Sequence, residues 1–127
     1  MPLDVNVSRK DQDQVTVTPI GSIDTNTSVM LEKQVDSIIS DRPKVLVFDM
    51  AGVDFMSSAG VRVVFKTKKN MESIKGIFTL INLKPQIKKV FDIINALPSL
   101  AVFESVKELD DYLAAMQKKE MEKKGGF

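Results

Sequence analysis

KVLVFDMAGVDFMSSAGVRVVFKTKK, residues 44–69, carries the fold in its two periodicities. Val45-Leu46-Val47-Phe48 is a short unbroken apolar run, the pattern of a central strand covered on both faces. Gly52 and Ser57-Ser58 interrupt it. Val61, Val64 and Phe65 then return at helical spacing, with Arg62, Lys66, Lys68 and Lys69 off that face. A buried strand leading into an amphipathic helix is the repeating unit of an α/β sheet.

The same alternation extends in both directions. Upstream, Leu3, Val5 and Val7 alternate with polar residues, as a half-buried strand does. Gln12-Asp13-Gln14 reads as a turn, and the β-branched segment from Val15 to Ile20 as a second strand, broken at Gly21. Pro19 lacks a ladder donor and suits an edge or a strand end. Leu31, Val35, Ile38 and Ile39 share a helix face, with Thr25, Asn26, Thr27 and Ser28 as possible caps and Asp41-Arg42-Pro43 as the stop. Downstream, Ile77–Ile81 is an apolar strand. Pro85 opens a helix with the stripe Ile87, Val90, Phe91 and Ile94, and Leu97-Pro98 closes it. Leu100–Phe103 is a short strand, and Val106, Leu109, Leu113 and Met116 mark a last helix. The expected order is β-β-α-β-α-β-α-β-α, a mainly parallel sheet with an antiparallel N-terminal edge. A single domain over residues 1–117 is expected, with a charged, flexible tail over 118–127.

Composition narrows the function. The 127 residues include no Cys and no His, so Cys or His metal sites, a Cys nucleophile and a Ser-His-Asp triad are all excluded. The segment from Met1 to Val7 has no basic start and no apolar run, so no secretory signal is expected there, and no stretch is long enough to span a bilayer. The expectation is a cytoplasmic protein without cofactor or metal, making no direct contact with nucleic acid or membrane. Net charge is +1, yet residues 1–60 hold five bases and nine acids, and residues 61–127 thirteen and eight. Solvated helix faces are the simplest reading of that division. A steered protein partner is the functional one.

Two strand-to-helix turns remain as candidate sites: Gly21-Ser22-Ile23-Asp24-Thr25 and Asp54-Phe55-Met56-Ser57-Ser58-Ala59-Gly60. Loops at the carboxyl ends of strands are where open α/β sheets place function. One serine of the pair is expected to cap the second helix. Ser58, in or just before its first turn, is also suited to carry phosphate, because free N–H groups and the helix dipole favour an anion there. Asp24, Asp49 and Asp54 could approach one another, although acids in loops more often cap or face solvent.

Residues in these turns resemble the STAS family, and within it the bacterial anti-sigma factor antagonists. Gly21-Ser22-Ile23-Asp24 is similar to the family's Gly-Glu-Leu/Ile-Asp turn. Phe55-Met56-Ser57-Ser58-Ala59-Gly60 is similar to its Met-Asp-Ser-Ser/Thr-Gly loop, and Lys89-Val90-Phe91-Asp92-Ile93 to a Leu-Phe-Asp segment in its third helix. The resemblance covers residues 3–116. It implies a single STAS-like domain that catalyses nothing, binds a serine-kinase anti-sigma factor when unphosphorylated, and is released when that kinase phosphorylates Ser58, a serine phosphatase restoring it. It implies a partner surface at Ser22, Asp24, Thr25, Asp54, Met56, Ser57, Ser58 and Gly60. Ser57 stands where the family carries an acid, and is the alternative acceptor. The other function open to such a domain is that of an unphosphorylated interaction module in another signalling or transport assembly.

Overall fold

The computed structural model describes residues 3–10, 13–93 and 100–125. Strands β1 (Leu3–Arg9) and β2 (Gln14–Ile23) form the antiparallel opening pair, and α1 (Thr27–Ser40) follows. Then come β3 (Val45–Asp49), β4 (Val53–Met56), α2 (Ser58–Ser73), β5 (Ile77–Ile81), α3 (Pro85–Ile93), β6 (Ala101–Phe103) and α4 (Val106–Gly125). The sheet runs β1-β2-β3-β5-β6 and is parallel after the first pair. It is the expected α/β architecture with one strand added. Ile94, the Leu97-Pro98 break and Gln12 lie outside the described residues. The backbone of α4 remains helical beyond residue 117, to Gly125.

The added strand is β4. It pairs in parallel with the end of β2, beyond the stretch of β2 that pairs with β3. Its four residues are buried at both ends and exposed at Asp54 and Phe55, so no period-2 signal marks them. Gly21 does not end β2, as the sequence suggests. It adopts φ 122°, where a side chain would be strained, and the register shifts between Gly21 and Ser22. A bulge of this kind bends a strand and turns it toward a new partner. Pro19 stands in the interval of β2 between its two parallel registers, where a missing donor costs no ladder bond.

Strand β3 is central, and its apolar run splits between two cores. Leu46 and Phe48 face α1, α2 and α3 in the main core, with Val15, Val17, Phe78 and Leu80. Val47 faces the other way and packs with Ile81 and Leu109 of α4, flanked by Val45, Phe103 and Leu113. Phe48 and Phe78 meet edge to face, their centroids 5.0 Å apart. In α1, Leu31, Val35 and Ile38 are buried as the spacing predicts. In α2 the buried face is wider than the expected stripe and takes in Val63, Thr67 and Met71. Among the described residues no helix is long and apolar enough to cross a membrane.

The acidic and basic halves of the chain fold onto each other. Lys66 of α2 binds Glu32 of α1, with Asp36 at 4.0 Å, and Lys84 binds Asp54. Hydrogen bonding to Glu32 raises the Lys66 pKa. These exposed pairs are each worth little, but they set lysines of the second half against acids of the first.

Candidate partner-binding site

The first turn is built on Asp24. Asn26 holds the N-cap position of α1 and its own side chain makes no cap bond. Asp24 does the capping instead: one carboxylate oxygen accepts the backbone N–H groups of Asn26 and Thr27, each at 2.9 Å. The Thr27 hydroxyl donates to the Ser22 carbonyl at 2.7 Å and accepts from the Asp24 N–H at 2.8 Å. Thr27 therefore knots the turn from inside, a role the sequence reading gave it only as one of four possible caps.

That network favours the ionised form of Asp24. The Thr27 backbone N–H is the largest influence holding its carboxyl below the ordinary 3.8, with the Thr27 hydroxyl and the Asn26 N–H adding to it and desolvation opposing it. A depressed folded-state value stabilises the fold at pH above the unfolded value, and that contribution is lost as pH falls through the folded one. An NMR titration of the side-chain carboxyl is expected to give an Asp24 midpoint below 3.8. The melting-temperature gap between wild type and Asp24→Asn should narrow as pH is lowered through that midpoint. A midpoint at or above the ordinary value would refute the capping role.

The second turn is joined to the first by the β2–β4 ladder, and a further backbone bond extends that join into α2. Ser57 is the N-cap of α2, and its N–H donates to the Ile23 carbonyl at 2.9 Å. Gly60 tightens the join. A Cβ there would lie 2.8 Å from both Ile23 Cγ2 and Met56 Cγ, so only glycine lets the first turn of α2 sit this close to β2 and β4. Asp24 follows Ile23 in sequence and Ser58 follows Ser57, and the two loops thereby become one surface.

The serines differ in exposure. Ser57 has the extended backbone of an N-cap, yet its hydroxyl is buried and has no hydrogen-bond partner. Ser58 is exposed in the first turn of α2, which contains no acidic residue. The α2 N-terminus is thus free of the side-chain cap that Asp24 provides for α1, and it presents Ser58 to solvent. The capping hydroxyl expected from the serine pair is not made by Ser57.

Of the other expected site residues, Thr25 and Asp54 are exposed. Ser22, Met56 and Gly60 are buried, so they act through the loop shape they impose rather than by offering side chains. The three aspartates do not gather: Asp24 caps α1, Asp49 accepts from the Ala51 N–H and the Asn82 side chain, and Asp54 binds Lys84. Among the described residues no group of three potential metal-ligating side chains occurs. Three exposed apolar residues lie beside the turns: Val29 (51%) and Met30 (41%) at the start of α1, which the sequence reading passed over, and Phe55 (52%) on β4, which it placed in the second turn without a partner-binding role. The signal for Val29 and Met30 was present, since both fall off the buried stripe of α1.

Comparison with known proteins places the chain in a family. Residues 5–109 match the model of the STAS domain. RsfB of Mycobacterium tuberculosis, named an anti-sigma-F factor antagonist, is 32% identical over 76 residues, covering 58% of this chain and 62% of RsfB. BtrV of Bordetella bronchiseptica, described as a candidate anti-sigma factor antagonist, is 30% identical over 73 residues, covering 58% of this chain and 63% of BtrV. The chain thus matches about three fifths of the length of these curated relatives. The fold is similar to that of the anti-sigma factor antagonist SpoIIAA. Its unphosphorylated form gives a TM-score of 0.77 at 18% identity, covering 88% of this chain and 97% of SpoIIAA. The phosphorylated form from Bacillus gives 0.69 at 19% identity, covering 87% of this chain and 99% of SpoIIAA. With the family model matching residues 5–109, which include both candidate turns, the chain belongs to the STAS domain family.

Proposed function

We propose that this domain is a cytoplasmic anti-sigma factor antagonist: a binding protein, not an enzyme, controlled by phosphorylation of Ser58. In this reading the unmodified Asp24–Ser58 surface binds an anti-sigma factor that is also a serine kinase, which frees the sigma factor. The kinase transfers the γ-phosphoryl group of ATP to the Ser58 oxygen, whose proton is released, and ADP leaves. A serine phosphatase resets the switch.

The observation that carries this reading is an exposed Ser58 at an N-terminus of α2 that lacks a side-chain cap. Such a terminus accepts an added phosphate without strain on the fold. Phosphate would then change the surface rather than the structure, which is what a reversible binding switch requires. The names of the two relatives and the solved phosphorylated form of SpoIIAA support the same reading. The buried hydroxyl of Ser57 favours Ser58 over its neighbour as acceptor.

Incubation with the serine kinase of the same regulatory system and ATP, followed by mass spectrometry, is expected to find phosphate on Ser58 alone. Labelling at Ser57, or at neither serine, would overturn the assignment. A complex that forms equally well before and after phosphatase treatment would instead point to a constitutive interaction module.

A further inference from the structure

Among the described residues, the path β1-β2-β3-β5-β6 ends in two unequal edge strands. Strand β6 is three residues long, whereas β1 offers seven, Leu3–Arg9. Exposed edges are normally blunted by shortness, proline, lysine or a bulge. Shortness protects β6. Strand β1 contains no proline and no lysine, and it pairs with β2 without a register break.

The hydrogen-bond phase of β1 is fixed. The Lys10 N–H donates to the Gln14 carbonyl at 3.1 Å, in the same register as the ladder. Bonded pairs alternate in an antiparallel ladder, so Asp4, Asn6 and Ser8 bond inward to β2. Leu3, Val5, Val7 and Arg9 turn their N–H and C=O groups outward. Two details agree with this phase. Val5 lies opposite Pro19, which has no N–H to give, and Gly21, opposite Leu3, donates away from β1 to the Gly52 carbonyl at 2.9 Å.

We propose that this edge pairs with β1 of a second copy of the chain, antiparallel about a two-fold axis normal to the sheet and passing beside Asn6. Like faces then lie together, which restricts the register to an even offset. The register centred on Asn6 bonds the most outward groups: Val5 with Val7 of the second copy, Leu3 with Arg9, and both symmetry mates. Centring on Val5 or Val7 leaves fewer pairs. In the favoured register no like charges are opposed, since Asp4 faces Ser8 and Arg9 faces Leu3. It also covers Val7, which is 41% exposed in the single chain. Apolar cross-strand pairs of this kind are favourable. The pairing is independent of the proposed anti-sigma factor role.

Sedimentation velocity over a wide concentration series tests it. The weight-average mass of the wild-type chain is expected to rise toward twice the monomer mass. Val7→Pro removes an outward donor and leaves the bonds to β2, and Val7→Lys keeps the backbone but sets two cations near the axis. Both variants should stay monomeric, with wild-type circular dichroism. If Val7→Pro fails to fold, Val7→Lys decides alone. The Val5 and Val7 amides should exchange more slowly as concentration rises, while that of Asn6, already bonded to β2, should not change. A wild-type chain that stays monomeric throughout overturns the proposal. So does a dimer that persists in Val7→Lys, or one that leaves the Val5 and Val7 amides unprotected. Protection of those amides only when a different protein is added would also overturn it.

Discussion

Ser58→Asp is expected to weaken binding to the partner about 100-fold, equivalent to about 2.8 kcal/mol, while leaving the domain folded. The two effects separate because of where Ser58 stands. Its side chain is exposed, so nothing in the core moves when a carboxylate replaces the hydroxyl. The new charge lies in the first turn of α2, where no acid is present and no side chain caps the helix. A carboxylate there favours the helix by about 0.3–1 kcal/mol, so the melting temperature should hold or rise slightly. At the contact surface the sign reverses. Asp24 is already anionic on the adjoining turn, and its hydrogen bonds keep it so. A partner that fits this turn with a neutral serine has to desolvate a second carboxylate without a group to pair it, and an unpaired buried charge costs several kcal/mol. Phosphate carries a larger charge and should weaken binding further. Ser58→Ala should bind whether or not kinase and ATP are present. Calorimetric titration at fixed ionic strength measures these differences. Wild-type affinity in Ser58→Asp would defeat the switch mechanism even if Ser58 proved to be phosphorylated.

Phe48→Ala should produce the largest loss of stability, about 3–5 kcal/mol. Phe48 is fully buried on the central strand and meets the Phe78 ring edge to face. Removing it opens a cavity between the sheet and the helices that cover it. Strand β3 is held on both sides by β2 and β5, so it cannot shift to fill the gap. Domains of this size have a total stability of about 5–15 kcal/mol, and the melting temperature should fall by about 10–20 °C. Chemical denaturation provides the free energy directly. Val29→Ala, on the exposed face of α1, should change stability by no more than about 0.5 kcal/mol. A Phe48→Ala loss below about 1.5 kcal/mol would mean that Phe48 is not packed in the main core as described.

Some elements were readable in the chain because their signal is periodic and local. Val45–Phe48 announced a strand buried on both faces, and the structure divides it between two cores. Leu31, Val35 and Ile38 announced α1 through helical spacing. Strand β4 was not readable, since four residues with both ends buried match neither period. Gly21 was recognised as an interruption, but whether a glycine ends a strand or bulges it depends on a partner distant in sequence. Here that partner is β4.

The candidate site divides in the same way. Residue types and order identified the Asp24 turn and the serine pair, because caps and strand ends carry local chemistry. Which serine faces solvent was not local. It follows from Ser57 bonding to Ile23 and from Gly60 drawing α2 against β2 and β4. The charge division along the chain suggested an acidic and a basic region, until Lys66 and Lys84 met acids from the other half.

The α/β class, the order of the long elements, the lack of Cys and His chemistry and the two candidate turns could all be read from the order of residues alone. Only the tertiary structure shows that those turns form one surface, that Ser58 is exposed while the Ser57 hydroxyl is buried, and that β1 is the longer edge strand among the described residues. Periodicity reports which side of an element is buried, and that is a property of neighbouring residues. Proximity between Ile23 and Ser57 depends on closing a loop of more than thirty residues, and only the packed sheet makes that closure favourable.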